Sequence, residues 1–451
     1  MATPQHEPPS RAPIPFVQVR TPELVQRVTP AGLWLPSTAL AVSMALAASA
    51  GMTLGVLAAL QASIAADRWI AVVQAHAMVQ LWGWFAVSIA ALVFEFIVRL
   101  NRHPALPVAP RAGTLLLFVA GSVVAAAGGV LGRAEQPLAL AGWSLVVAGT
   151  TGFLILVLRV PPGRPMRVDL HPLFFRTGAV WVAVSALLGL LGASRISSGV
   201  IAPPEFDALT EVFLRGFVMN IVVAVGLRAF PGHLGLPPVD VRGQRVLLLL
   251  LNVAVLLGLA STRSFGLPGL EPLARLADLG FAAAIAWATY TFRIWHAVRA
   301  WGARSERPQV MVPVAWAGLL AYGALLAPQA LVQFLGGMSM PVMAAGGARH
   351  VFMLGFVAPL LIAMIHVVLE RFGTGHVVSR NWLTASFMLM VIAWPLRSAP
   401  PLLDPATGAI SRGIMGVAGL LVAVALLLAT IASGRNALQV VRFARQFARA
   451  G

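Results

Sequence analysis

The 451-residue chain contains no cysteine, which excludes disulfides, thiolate-held zinc and iron–sulfur clusters. It contains no lysine either: all thirty-two basic residues are arginine. Schiff-base chemistry and P-loop phosphate binding need a lysine amine, so both are excluded. Charge as a whole is scarce. Only 10% of residues are charged, whereas a soluble globule carries about 25%. A chain of this length would ordinarily divide into two or three soluble domains, but this one cannot coat a water-facing surface of that size.

What it has instead is apolar sequence: 59% hydrophobic residues and a mean hydropathy of +0.86. Crossing ~30 Å of hydrocarbon takes ~20 apolar residues in a helix. Runs of that kind occur near 37–61, 69–98, 113–132, 137–158, 173–194 and 207–229. They continue near 244–262, 273–297, 311–336, 342–369, 382–402 and 413–433. The expected fold is therefore all-α: a polytopic bundle of about twelve spans over 33–434. It is flanked by a Pro-rich disordered tail, 1–32, and a basic C-terminal tail, 435–451. The N-terminal tail has no apolar core of the signal-peptide kind, so the first run reads as an uncleaved span.

The net charge of +17 follows the spans. With both termini cytoplasmic, most arginines fall in the tails and inner loops, as at Arg299, Arg304 and Arg307. This is the positive-inside pattern of a multi-pass protein of the inner (plasma) membrane. It implies contact with anionic lipid and no nucleic acid. Gly51-x-x-x-Gly55 and Gly128-x-x-x-Gly132 fit close helix packing in lipid.

Ionisable residues inside a span are costly and each asks for a reason. Of nine histidines, His6 is in the tail, and His103, His171, His233 and His376 fall in loops or at helix ends. His296 and His366 lie toward the cytoplasmic ends of spans eight and ten, where snorkelling residues are common. His76 and His350 sit deeper, seven and eight residues into spans two and ten. At 1.5 Å per residue both lie ~10–12 Å below the outer boundary. Two imidazoles at one depth can supply both axial ligands of one haem. Gly83, seven residues after His76, is expected to clear the ring's face, as are Gly346 and Gly347 beside His350. Arg349 and Arg397 lie where a haem's propionates would point. The alternative for either histidine is a hydrogen bond to a neighbouring helix. Two ion pairs are also expected, Glu95 with Arg99 and Glu211 with Arg215, each at i,i+4. Tyr322 and Met219 line a small-molecule pocket or simply pack.

Four segments carry a family resemblance. They are Gln74-Ala-His76-Ala-Met78 with Gly83-Trp84-Phe85, Val225-Gly226-Leu227-Arg228-Ala-Phe-Pro231, Leu319-Leu320-Ala321-Tyr322, and Ala348-Arg-His350-Val-Phe-Met-Leu-Gly355 continuing to Gly373-Thr374-Gly375. In order and spacing the chain resembles the NnrS family, haem- and copper-containing membrane proteins linked to nitric oxide metabolism. The family in turn resembles subunit I of haem–copper oxidases at a distance. The resemblance implies a haem b, a role in nitrosative stress, and electron transfer or gas-ligand sensing. Gln74, Ala77 and Leu319 stand where the family pattern has His, an acidic residue and His, so copper loses its matching residues at those positions. Spans six and seven lack the histidines of an oxygen-reducing binuclear centre. The competing readings are a twelve-helix secondary transporter and a membrane assembly factor for a reductase.

Overall fold

The computed structural model describes residues 34–60, 66–131, 135–163, 169–196, 200–261, 272–299, 307–336, 340–372, 380–404, 406 and 408–450. The tail 1–32, His6, His376 and the Gly373-Thr374-Gly375 segment lie outside them. The described residues are helical, with no strand among them. Twelve long helices follow in order: α1 Trp34–Leu60, α2 Arg68–Leu100, α3 Val108–Leu131, α4 Glu135–Leu158, α5 His171–Ser194 and α6 Pro203–Leu234. Then come α7 Val241–Ala260, α8 Pro272–Phe292, α9 Arg307–Gly336, α10 Val342–Leu369, α11 Arg380–Leu403 and α12 Ala409–Ala450. A short helical turn, Trp295–Arg299, follows α8.

Eleven of these helices are long and apolar enough to cross a bilayer. The exception is α8, which carries Arg275 and Asp278 near its start. It nevertheless packs between α7 and α9 like any other member of the bundle. The chain is an all-α, multi-pass membrane bundle. The last helix, α12, continues to Ala450 through most of the basic segment 435–451, and its 42 residues span ~63 Å at 1.5 Å each.

Sequential neighbours pack as antiparallel pairs (α3 with α4, α7 with α8, α11 with α12), and α12 closes back on α1. Inside this ring lie α2, α6 and α10. Their most apolar stretches are 100%, 83% and 94% buried, against 33–50% for the other spans. A lipid-facing helix can be apolar all round, so hydropathy alone cannot single out these three. The central helices bury Gln74, Gln80 and Glu95 on α2, Arg215 and Asn220 on α6, and His366 on α10, and the ring helices bury polar residues on their inner faces too, such as Arg111, Gln244 and Asn436. A bilayer offers such groups no partner, so they turn inward.

All three central helices, and α1, are interrupted by a π-helical stretch: 47–51, 79–86, 212–218 and 351–357. A π turn inserts an extra residue and rotates everything beyond it around the helix axis. Where α9 meets the π stretch of α10 the backbones touch. A methyl group on Gly318 would collide with the carbonyl of Gly355. Gly318→Ala is expected to cost about 1–3 kcal/mol by overpacking. Thermal unfolding in detergent tests this, with Gly413→Ala, where a Cβ meets open space, as the unaffected control.

At the opposite face from the site described below, a polar latch joins the loops after α2 and α4 to α5 and α6. His171 Nδ1 lies 2.9 Å from Asp169 Oδ1 and Nε2 lies 3.1 Å from Asn101 Oδ1. Arg228 pairs with Asp169 at 2.5 Å, and Gly163 N donates to Asn101 Oδ1 at 3.1 Å. Burial alone would raise the Asp169 carboxyl, but hydrogen bonds from His171 and the charge of Arg228 hold it below its usual value. A depressed carboxyl stabilises the fold above its unfolded pKa, and that contribution is lost as pH falls through the folded value. Melting curves taken between about pH 6 and pH 3 are expected to fall more steeply for the native chain than for Asp169→Asn.

Candidate functional site: a cavity lined by two imidazoles

Alternate traverses bring the ends of odd-numbered helices and the starts of even-numbered ones to one face, the face expected to be outer. Near it a cavity of about 630 Å³ opens between α1, α2, α6, α10, α11 and α12. His76 and His350 both line it. The two histidines chosen by depth are thus brought together by the two most buried helices of the bundle.

Each ring is held in the same way. His76 Nδ1 lies 2.7 Å from the carbonyl oxygen of Gly51, which ends the π stretch of α1. His350 Nδ1 lies 2.7 Å from the carbonyl oxygen of Gly346, one turn back on its own helix. A carbonyl can only accept, so Nδ1 carries the proton and Nε2 of each neutral ring keeps its lone pair. This is the arrangement by which proteins fix the tautomer of a metal-binding histidine.

The glycines divide. Gly346 lines the cavity, and nothing lies within 4 Å of where its Cβ would be. Gly347 faces Pro401 and Ser398 of α11 instead. Gly83 does not clear the imidazole face as the seven-residue spacing suggested. A Cβ there would meet Ser122 Oγ at 2.8 Å and Leu46 Cδ2 at 3.0 Å, so Gly83 serves helix packing. The reason is the π stretch 79–86, which breaks the 3.6-residue register between positions 76 and 83. The glycine that makes room for His76 is Gly55 of α1, whose Cβ would fall 2.6 Å from the ring's Cε1. Its signal in sequence was the Gly51-x-x-x-Gly55 pattern, which reads equally well as packing alone.

The two arginines also differ. Both line the cavity, but Arg349 is already engaged, to Asp207 at 2.9 Å and Glu211 at 3.2 Å on α6. It is therefore not the free fork expected for a ligand's carboxylates. Arg397 donates to Met415 Sδ at 3.0 Å, and among the described residues no carboxylate pairs with it. Its guanidinium is thus the cavity-wall cation not committed to a carboxylate among the described residues.

Sequence reasoning missed the rest of the wall. Met52, Met340, Met353 and Met415 contribute soft thioethers, two of which are hydrogen-bond acceptors, from Gln80 and Arg397. Gln80 Oε1 and Trp84 Nε1, on two further wall residues, are buried without a partner. Neither His296 nor His366 lines this cavity. Among the described residues no group of three or more His, Asp or Glu is placed to hold a metal ion.

No family model matches the chain, and no curated protein matches it.

Proposed function

We propose that the chain is a haem-binding membrane protein acting in nitric oxide or nitrosative-stress metabolism. Its role would be electron transfer or gas-ligand sensing through one b-type haem held by His76 and His350. The observation that carries the haem is the shared cavity with two imidazoles, each pinned through Nδ1 so that Nε2 is available. The link to nitric oxide rests on the resemblance to the NnrS family alone.

The residues present suit a flat, apolar, dianionic macrocycle. The volume falls within the ~300–1,000 Å³ of small-molecule sites, and the wall is mostly apolar, with Trp84, Phe85, Leu214 and Val422 among its members. Gly55 makes room for the His76 ring, and Gly346 leaves open space at the cavity wall. Arg397 supplies positive charge for one carboxylate, while Arg349, committed to Asp207 and Glu211, offers at most its remaining N–H bonds to another. The bound haem would supply one-electron chemistry. What the chain contributes is the tautomer of both imidazoles, an apolar wall that keeps bulk water from the pair, and a fixed guanidinium. With His76 and His350 both holding the haem, no ligand position would remain open, which favours electron transfer, or sensing by ligand exchange, over turnover of a substrate.

The visible spectrum of the purified protein, oxidised and reduced, tests this reading. A Soret band with sharp reduced α-bands is expected, abolished in His76→Ala and in His350→Ala. A colourless protein that still folds, after expression with ample haem, would rule the reading out and leave the transporter in its place. A second outcome is specific to Gly55. In Gly55→Val the added side chain displaces the His76 ring, so haem retention is expected to fall at least about tenfold, equivalent to 1.4 kcal/mol, while Gly83→Ala retains it. Haem content per protein, by pyridine haemochrome assay, reads both.

A further inference from the structure

The last helix carries more than its span needs. Between Arg412 and Arg435 no charged residue occurs, and at 1.5 Å per residue the two stand ~35 Å apart. That just exceeds the ~30 Å hydrocarbon core, so Arg435 falls at the boundary expected to be cytoplasmic and the rest of α12 runs on beyond it. The rotation of the helix there is fixed. Asn436 is buried and donates to Ser37 Oγ of α1 at 3.0 Å, which turns the adjacent Arg435 outward, where it is exposed. Leu420, Val424, Leu427 and Ile431 are exposed on one side of α12 at three- and four-residue spacing, as a face on lipid would be. The same stripe continues through Arg435, Leu438 and Arg442, all exposed.

Helix α11 packs along α12 and exposes an apolar face of its own at Ala385, Met388 and Ile392. The two faces meet at the expected inner boundary, where the Arg435 guanidinium lies over the Trp382 ring, 5.6 Å from its centroid. Stacking on an indole holds a guanidinium in place and leaves its N–H edges free to bond. From α9, Arg307 reaches the same first turn of α11, donating to Thr384 Oγ1 at 2.8 Å and to Asn381 Oδ1 at 2.9 Å. Both partners are neutral. Among the described residues no carboxylate pairs with Arg307, Arg435 or Arg442. The neighbouring sequence supplies few: segments 299–307, 370–380 and 435–451 hold nine arginines against Glu306 and Glu370.

We propose that the junction of α11 and α12 is a binding site for one anionic phospholipid of the inner leaflet. Arg435 and Arg442 would bond its phosphate, with Arg307 adding to the positive field. Its acyl chains would lie along the apolar stripes of the two helices. The occupant is a lipid rather than a free anion because the charged end of the junction runs directly into surface that faces hydrocarbon. The rival account is the diffuse attraction that any arginine-rich inner face exerts on anionic lipid, with Arg435 an ordinary interfacial anchor. The site is independent of the haem reading, since α12 lines the imidazole cavity through Met415, Gly419 and Val422, in its outer half.

Full-length protein stripped of lipid in detergent is titrated with phosphatidylglycerol and with phosphatidylcholine, and bound lipids are counted by native mass spectrometry. Phosphatidylglycerol is expected to bind at least about tenfold more tightly. Arg435→Gln/Arg442→Gln should remove that preference. Arg102→Gln/Arg159→Gln takes the same charge from exposed positions in the loops after α2 and α4, on the same expected face, and should leave the preference intact. Trp382→Leu keeps an apolar side chain but removes the ring beneath Arg435, and should weaken phosphatidylglycerol alone. Thermal unfolding of each variant checks that it folds. Equal affinity for the two lipids would overturn the proposal. So would an equal loss in the two double variants, which is how diffuse attraction behaves. Displacement of phosphatidylglycerol by inorganic phosphate, at constant ionic strength, would overturn it too, by making the junction a site for free anions. Every readout is a lipid mass, so failure of the haem reading leaves the result untouched.

Discussion

A bilayer gives a polar side chain nothing to bond to, and the arrangement of this bundle follows from that single constraint. The chain is apolar nearly throughout, so transfer from water does not decide which helices go inside: lipid tails and a protein interior are equally apolar. Polar side chains turn inward on the ring helices as on the central ones, as Arg111, Gln244 and Asn436 do. Helices α2, α6 and α10 carry Gln74, His76, Glu95, Glu211, Arg215, Arg349 and His350, and they are the three that the others surround. Glu95 shows the principle at its simplest. Its carboxylate takes Arg99 at 2.5 Å on its own helix and Arg111 at 2.8 Å from α3, which ties the centre of the bundle to its rim.

The same constraint accounts for how the imidazoles are held. A histidine side chain in an apolar wall needs a partner for its N–H, and the nearest abundant acceptors are backbone carbonyls. His350 finds one on its own helix, whereas His76 reaches across to Gly51 of α1. In both cases the bond uses Nδ1, so that Nε2 stays chemically available beside the cavity. Four π-helical stretches lie in the helices around this region, and such irregularities are tolerated in a membrane where the surrounding protein satisfies the displaced backbone groups.

How much of this was legible in the sequence depends on the physics each feature obeys. Span positions were, because hydrocarbon thickness imposes a length that any apolar run must match. The eighth run, read as 273–297, is a helix only to Phe292, and with Arg275 and Asp278 in it falls short of the length and apolarity of a span. The meeting of His76 and His350 was legible too, because depth in a membrane can be counted residue by residue along two helices. Gly83 was misread because counting around a helix assumes a constant turn, and the π stretch 79–86 breaks it. Gly55 was visible only as half of a packing pattern, since nothing in one helix announces which neighbour its small residues admit. Ion pairs followed the same division: Glu211–Arg215 lies within one helix and could be read from spacing, while Asp278 and Arg349 join from other helices and could not.

Arg349 is where these lines converge. As a neighbour of His350 in sequence it invited a role toward a ligand of the imidazole cavity, yet its guanidinium is spent on Asp207 and Glu211. Glu211 in turn shares itself with Arg215, and Arg215 with Asp278. A continuous run of alternating charges thus leads from the residue beside one imidazole, through α6, to Asp278 on α8. In a low-dielectric interior each member fixes the position of the next, because breaking any one pair strands its partner without compensation.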